Sequence, residues 1–567
     1  MIKNNFEILK INFALVFTAI LVGLIVSVVA QFFALIAKDV FNLIQSEQIL
    51  SIFFIAEFGF NFFPLIACLL AGLFICILIR VFKVDRWHGP ADTIYAAHQK
   101  AGTLDVKRGF LSTIAALFSI SGGASVGIYG PLVHFGGTLG AFLRRRSFIP
   151  NIPHDIIIGS GVAAAISAGF SSPIAGIIFA HEVILRHFSM KALTAISLAS
   201  VSASFLAQWL DLVEPALRFK EIEFELINSL PGLIVVGISS AIIAFFFMNS
   251  LLIATKIGNS IRLPFYLKPM FPALLCGCFG IFFPEAIGLG SEAIKEVITE
   301  NKSLYFLISL LIFKIILTSC CIGFGMFGGV LSPALLIGCC VGALVYQIPF
   351  LGVDENLGQI LAVSGMAAVA SSVIGGPITA VILVFELTGS YQYAIASIFS
   401  IAISNLITYL IFGSSFFDAQ LKLRDIIIGF GREHILMSQT SIVKMIDKNC
   451  LYLKKEVLAS DALKLFKKFN VTEGYFKDED SHFLGKLKII SLIGKTNELA
   501  FKYREKEIIK LQPSNSILEC IQILSNFVGE SVPVIDSNSK IIGVISENDI
   551  LKSYDKISKE IKNIEKS

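Results

Sequence analysis

Residues 161–182 read GVAAAISAGFSSPIAGIIFAHE, and residues 365–386 read GMAAVASSVIGGPITAVILVFE. The two stretches align without gaps and are identical at 8 of 22 positions, among them Gly161/Gly365, Pro173/Pro377 and Glu182/Glu386. Both are apolar, and both are cut by a Pro that ends one helix and opens another. Upstream of each lies a Gly-rich turn ending in Pro: Gly127-Ile128-Tyr129-Gly130-Pro131 and Gly329-Val330-Leu331-Ser332-Pro333. A duplication of sequence alone explains two similar helices. It does not explain why the Gly-rich breaks keep register too. Two related halves with interrupted helices are the pattern of a membrane transporter whose site lies between the halves.

The rest of the chain agrees with that reading. Of 567 residues, 55% are hydrophobic and only 16% charged, with a mean hydropathy of +0.78. Residues 431–567 hold 22 Lys/Arg and 19 Asp/Glu, nearly half of the charges in a quarter of the length. Lipid is the solvent implied for residues 1–430 and water for 431–567. Apolar runs recur from Ile11 to about residue 412, and several exceed the ~20 residues that one span needs. The run 303–345 contains Gly323-Phe-Gly-Met-Phe-Gly-Gly and Pro333, which predicts broken helices meeting inside the protein. Lys3 and Lys10 precede the first run, which reads as a retained membrane helix with a cytoplasmic start. Lys422, Arg424 and Arg432 mark the exit on the same side, so both termini are expected in the cytoplasm.

A net charge of +4 leaves no footprint for nucleic acid. The ten cysteines form no disulfide framework or zinc pattern and read as small buried hydrophobes. No nucleophile–base pair or metal cluster points to an enzyme.

An anion inside a membrane is best held by helix N-termini, which offer unpaired N–H groups and a partial positive charge. A full cation would bind it too tightly for flux. Both Gly-x-x-x-Pro turns suit that task. A cation path would want acidic residues, and the turns hold none.

These residues resemble the CLC family of chloride channels and transporters. GIYGPLVHFGG at 127–137 is similar to its GxEGPxxxxG signature, GGVLSP at 328–333 to GxFxP, and WHGPA at 87–91 to a divergent GSGIP. The resemblance spans roughly residues 15–425. It implies an all-α polytopic membrane domain with an inverted internal repeat, assembled as a homodimer with one anion pathway per subunit. It also implies anion contacts from the N–H groups of Val330 and Leu331. Proton-coupled members carry a glutamate where this chain has Tyr129, and a second where it has Val183. His88 takes the place of the central serine, and Phe417 that of the central tyrosine.

A glutamate can occupy an anion's place and leave on protonation, whereas a neutral tyrosine cannot. Passive conduction of chloride or a similar anion is therefore expected. Proton-coupled exchange through other titratable groups is the alternative, and a fluoride exporter is a weaker third reading. Glu182 and Glu386 are expected to support helix ends, and His134 and His181 to be satisfied buried donors. His88 is open between an interfacial role and a contact to the anion.

Val532-Pro-Val-Ile-Asp536 and Ile542-Gly-Val-Ile-Ser546-Glu-Asn-Asp549 resemble the second module of a CBS-domain pair, at about 511–557. The first module, about 435–495, is degenerate. Residues 511–555 read as a helix at Ser516–Phe527 followed by strands at Ser531–Ile535 and Ile541–Ser546, joined by a polar turn at Asp536–Lys540. The resulting expectation is a C-terminal α/β CBS-pair domain. Transport needs no cofactor, but the resemblance implies that Ser546 and Asp549 can hold an adenine nucleotide's ribose; a dimerising scaffold without ligand is the competing reading. The short tail and the Lys/Ile-rich composition fit a bacterial inner (cell) membrane.

Overall fold

A computed structural model describes residues 2–45, 54–55, 60–99, 104–146, 153–211, 226–348, 355–426, 428, 437 and, apart from three single positions, 440–566. The chain divides into two compact units, Met1–Ile428 and Gly429–Ser567.

Among the described residues, the first unit is helical apart from a short antiparallel pair of strands, β1 (Phe54–Ile55) and β2 (Phe60–Asn61). Its first half runs α1 (Ile2–Gln45), α2 (Phe63–Phe82), α3 (Pro90–His98), α4 (Val106–Ser121), α5 (Tyr129–Arg146), α6 (His154–Phe170), α7 (Pro173–Phe179) and α8 (Met190–Leu210). The second half runs α9 (Leu226–Ser260), α10 (Met270–Phe282), α11 (Ser291–Thr299), α12 (Leu304–Gly323), α13 (Leu331–Tyr346), α14 (Glu355–Ile374), α15 (Pro377–Thr388), α16 (Tyr391–Phe412) and α17 (Phe416–Lys422). Among the described residues, eight helical stretches are long and apolar enough to cross a membrane. The helices of the two repeats, α5–α6 and α13–α14, are buried almost throughout, while α1, α9 and α16 keep apolar faces exposed as lipid-facing helices do.

Local chemistry sets the boundaries. Asp105, Ser189, Ser303 and Ser415 accept hydrogen bonds from the first-turn N–H groups of α4, α8, α12 and α17. Pro90, Pro173 and Pro377 open α3, α7 and α15, where a missing N–H costs nothing. The 303–345 run is broken as expected, into α12 and α13 with the Gly-rich turn between them.

The repeat is visible as packing. Gly136 of α5 lies against Gly161 of α6, and Gly338 of α13 lies against Gly365 of α14. In each pair a Cβ on the first glycine would stand 2.2 Å from the second glycine's carbonyl oxygen. These contacts recur in both halves and bring helix backbones together in the way small residues allow in membranes.

The two halves also complete each other. Glu182, in the π-helical turn that continues α7, accepts hydrogen bonds from the N–H groups of Ile378 and Thr379 and from the Thr379 hydroxyl, at 2.6–2.9 Å. Glu386, near the end of α15, accepts from the N–H groups of Ile174 and Ala175. Each helix thus ends on the start of the other, so α7 and α15 run antiparallel, as an inverted repeat requires. The helix-end role expected for both glutamates is what the geometry gives. Glu182→Gln is expected to lower stability by about 1–2 kcal/mol, and Glu386→Gln, with one bond fewer, by less. Thermal melting of purified protein checks that ranking; equal midpoints for both variants and the wild type would refute it.

The second unit holds two small sheets. In the first, β3 (Tyr452–Leu453) pairs parallel with β4 (Glu473–Lys477), which pairs antiparallel with β5 (Phe483–Lys488); α18 (Ala459–Phe469) packs beside them. In the second, β6 (Ser531–Ile535) and β7 (Ile541–Ser546) form an antiparallel pair flanked by α19 (Ile517–Leu524) and α20 (Glu547–Lys566). Strand positions in this module match those read from sequence, and α19 is shorter than the Ser516–Phe527 expected. Ser516 caps α19 and Glu519 returns the bond. Hydrogen bonds from Asn515 and from the Ser516 N–H hold the Glu519 carboxyl below the usual range.

Candidate anion pathway

Gly127 and Gly329 exchange two backbone hydrogen bonds, 2.8 and 2.6 Å long. This one bridge ties the signature turn of each half to the other. Side chains would not fit: a Cβ on Gly127 would meet Ser332 Oγ at 2.6 Å, and one on Gly329 would meet the Gly130 nitrogen at 2.6 Å. Just beyond the bridge, Ile128 and Val330 occupy matching positions, their carbonyls accepting from Leu132 and Ala334 in the first turns of α5 and α13. The N-termini of the two helices are therefore brought together.

They meet at a cavity of about 70 Å³. One water needs ~10–15 Å³, so there is space for a small anion with some of its hydration. Tyr129, Gly130, Gly329, Val330 and Leu331 line it, together with Phe417 of α17. Most of the remaining wall is apolar, contributed by Trp87, Ile166, Phe179, Phe327 and Ile374. Gly127, Ile128, Pro131 and Pro333 do not reach its surface; they build the bridge and the first helical turns behind it.

Tyr129 is a fixed part of this wall. Its ring stacks on Phe170 at a centroid distance of 3.4 Å, and its hydroxyl points at the Gly169 carbonyl oxygen, 3.5 Å away. Val183 is buried in the π-helical turn, against Gly376, and does not line the cavity.

The histidines fall differently from one another. His88, open in the sequence between an interfacial role and an anion contact, is not on the cavity wall, although its neighbours Trp87 and Gly89 are. The backbone is extended at Gly89, and the His88 N–H donates to Ser112 Oγ of α4, so the ring turns toward His134 instead. His134 and His181 were both expected to be satisfied: His134 Nδ1 pairs with Thr93 Oγ1 and His181 Nδ1 donates to the His187 carbonyl, but the Nε2 of each is buried with no hydrogen-bond partner among the described residues.

The charged part of the wall was not foreseen. Asp92 and Arg424 both line the cavity, with Gln420 beside them. Asp92 Oδ1 accepts from Arg86 Nη2 and Arg424 Nη1, each at 2.8 Å, and Oδ2 accepts from the Gly89 N–H. Two guanidiniums share one carboxylate, so the cluster carries net positive charge. Arg424 also anchors the end of α17, and Asp418 anchors its start by pairing with Arg186. That double hold places Phe417. Trp87 Nε1 donates to the Gly325 carbonyl, which joins the 87–91 segment to the second half.

In the C-terminal unit, Ser546 and Asp549 contact each other. The Ser546 hydroxyl and N–H both donate to Asp549 Oδ2, and the Asp549 N–H donates to Ser546 Oγ. This is a helix cap at the start of α20.

The sequence model of the family described as "Voltage gated chloride channel" matches residues 71–409, and that of the CBS domain matches 502–556. A protein named H(+)/Cl(-) exchange transporter ClcA from Yersinia pestis is 25% identical over 325 residues, 54% of this chain and 66% of the relative, just under two thirds of its length. The protein of that name from Salmonella agona (strain SL483) is 25% identical over 431 residues, 73% of this chain and 89% of the relative. Among solved structures, a slow cyanobacterial Cl-/H+ antiporter superposes with a TM-score of 0.63 at 19% identity, over 72% of this chain and 98% of that one. A eukaryotic CLC transporter superposes with a TM-score of 0.61 at 16% identity, over 95% of this chain and 98% of that one. These likenesses establish the fold. With the family's model matched over more than half of its length, this membrane protein belongs to the voltage-gated chloride channel, or CLC, family.

Proposed function

We propose that this chain carries chloride or a similar small anion passively across a bacterial inner membrane. It does so as a homodimer with one pathway per subunit and both termini in the cytoplasm. One observation carries the passive part: among the described residues, the cavity wall has no carboxylate free to take up a proton and stand in for the anion. Tyr129 is there instead, stacked and hydrogen-bonded, and a phenol stays neutral at physiological pH. The acidic side chain on the wall, Asp92, is engaged by two arginines and a backbone N–H. The N-termini of α5 and α13 supply partial positive charge where the ion would rest. Arg424 adds attraction, and its bond to Asp92 limits how tightly it can hold the ion. The C-terminal unit acts as a scaffold. To serve an adenine nucleotide, Asp549 would have to share with a ribose the carboxylate that caps α20.

Proton-coupled exchange is the second reading, favoured by the names of the relatives. It needs a proton carrier other than the residues at 129 and 183. The two readings separate in liposomes held at zero voltage with a chloride gradient and no pH gradient. Chloride efflux without proton movement is the expected result. Stoichiometric uphill proton movement would overturn it in favour of exchange.

A further inference from the structure

We propose that His88 and His134 form a proton-binding site behind the wall of the anion cavity, and that its occupation speeds anion flux in acid. The proposal rests on the anion-conduction reading above. Both residues are buried, and their rings meet edge to face with centroids 5.9 Å apart. Three of the four ring nitrogens, both on His88 and Nε2 on His134, are buried without a hydrogen-bond partner among the described residues. The fourth, His134 Nδ1, is 2.8 Å from Thr93 Oγ1.

A neutral imidazole has one donor and one acceptor nitrogen, and leaving them unmatched in the interior is costly. Two such rings at this spacing offer an answer to each other. A proton taken by one ring's lone pair becomes a donor toward the acceptor nitrogen of the other, directly or through one water. No other bond is made or broken. A second proton is opposed by the charge of the first, so the pair titrates as a unit.

The location gives the proton a consequence. His88 lies between Trp87 and Gly89, and His134 follows Val133; all three neighbours line the cavity. A positive charge there raises the anion concentration at the path. The charged groups facing the pair are Asp92 of α3, Arg86 of the same segment as His88, and Asp105 and Arg108 at the start of α4. None of them hydrogen-bonds to either ring, and Asp92 is already held by Arg86 and Arg424. Asp92 and Asp105 favour a charge on the pair, while Arg86 and Arg108 oppose it. Burial also disfavours a charged imidazole, so the site fills on the acid side of the range of about pH 5–8 in which an unperturbed histidine titrates.

The test is chloride efflux from liposomes containing the full-length protein, with equal pH on both sides and voltage clamped, at pH values from about 4 to 8. Wild-type flux is expected to rise at least about threefold toward the acid end, and His88→Gln and His134→Gln are each expected to flatten the profile. A flat wild-type profile overturns the proposal, and so does a slope that both variants retain. A second readout needs no substitution: in nitrogen NMR of 15N-histidine-labelled protein, two ring systems should titrate together. Absence of any such coupled pair overturns the proposal. A wild type that moves no chloride at any pH sinks the conduction reading instead, and the NMR titration then decides the proton site by itself.

Discussion

Tyr129→Glu is expected to cut chloride flux at least tenfold relative to wild type at pH 7.5, and to restore much of it near pH 4.5. The side chain starts α5 and lies on the cavity wall beside the N-terminus of α13. An ionised carboxylate there would be drawn to the N–H groups and partial charge that serve the anion, and would occupy the anion's place. Protonation removes the charge, and the group is displaced. The sign follows: flux is blocked where the carboxylate is ionised and recovers as pH falls through its pKa. The wild-type tyrosine cannot respond in this way, so the ratio of variant to wild-type flux, taken at each pH, isolates the effect. A ratio near one at every pH would mean that position 129 does not face the ion.

Gly338→Val is expected to abolish the folded protein. Its Cβ would stand 2.2 Å from the Gly365 carbonyl oxygen and 2.8 Å from the Gly365 carbonyl carbon, both of them backbone atoms in the middle of α14. No rotamer relieves such a contact; α13 and α14 must separate. Overpacking of a core side chain costs about 1–3 kcal/mol, and a clash with the backbone of a buried helix should exceed that. The expected observation is loss of the monodisperse peak in size-exclusion chromatography. Normal yield and elution would show that the two helices are further apart than described.

The features legible in the sequence are those set by covalent restriction close to the residue itself. Glycine breaks, prolines at N1 positions and the recurrence of both after 202–204 residues are visible in a string of letters. So was the strand–turn–strand pattern of the C-terminal module. The Asp92–Arg424 contact joins residues 332 apart, and the Trp87–Gly325 bond spans 238. No periodicity marks such pairs, because each partner has an ordinary local role: Asp92 caps α3, and Arg424 reads as a helix-end cation. Position alone left His88 open between the interface and the path. The hydrogen bond from its backbone to Ser112, 24 residues later, is what turns the ring away.

The reciprocal caps set an order of events during synthesis. The start of α7 receives its carboxylate from a residue 212 positions later, and the start of α15 receives its own from one made 196 positions earlier. At ~5–20 residues per second, the first half waits roughly 10–40 s for Glu386 to leave the ribosome. Throughout that interval the α7 N-terminus lacks its partner while the helix is already in or near the bilayer. A chaperone or insertase that shields half-finished membrane segments would act during this interval, and ribosomes slowed between the two repeats would lengthen it.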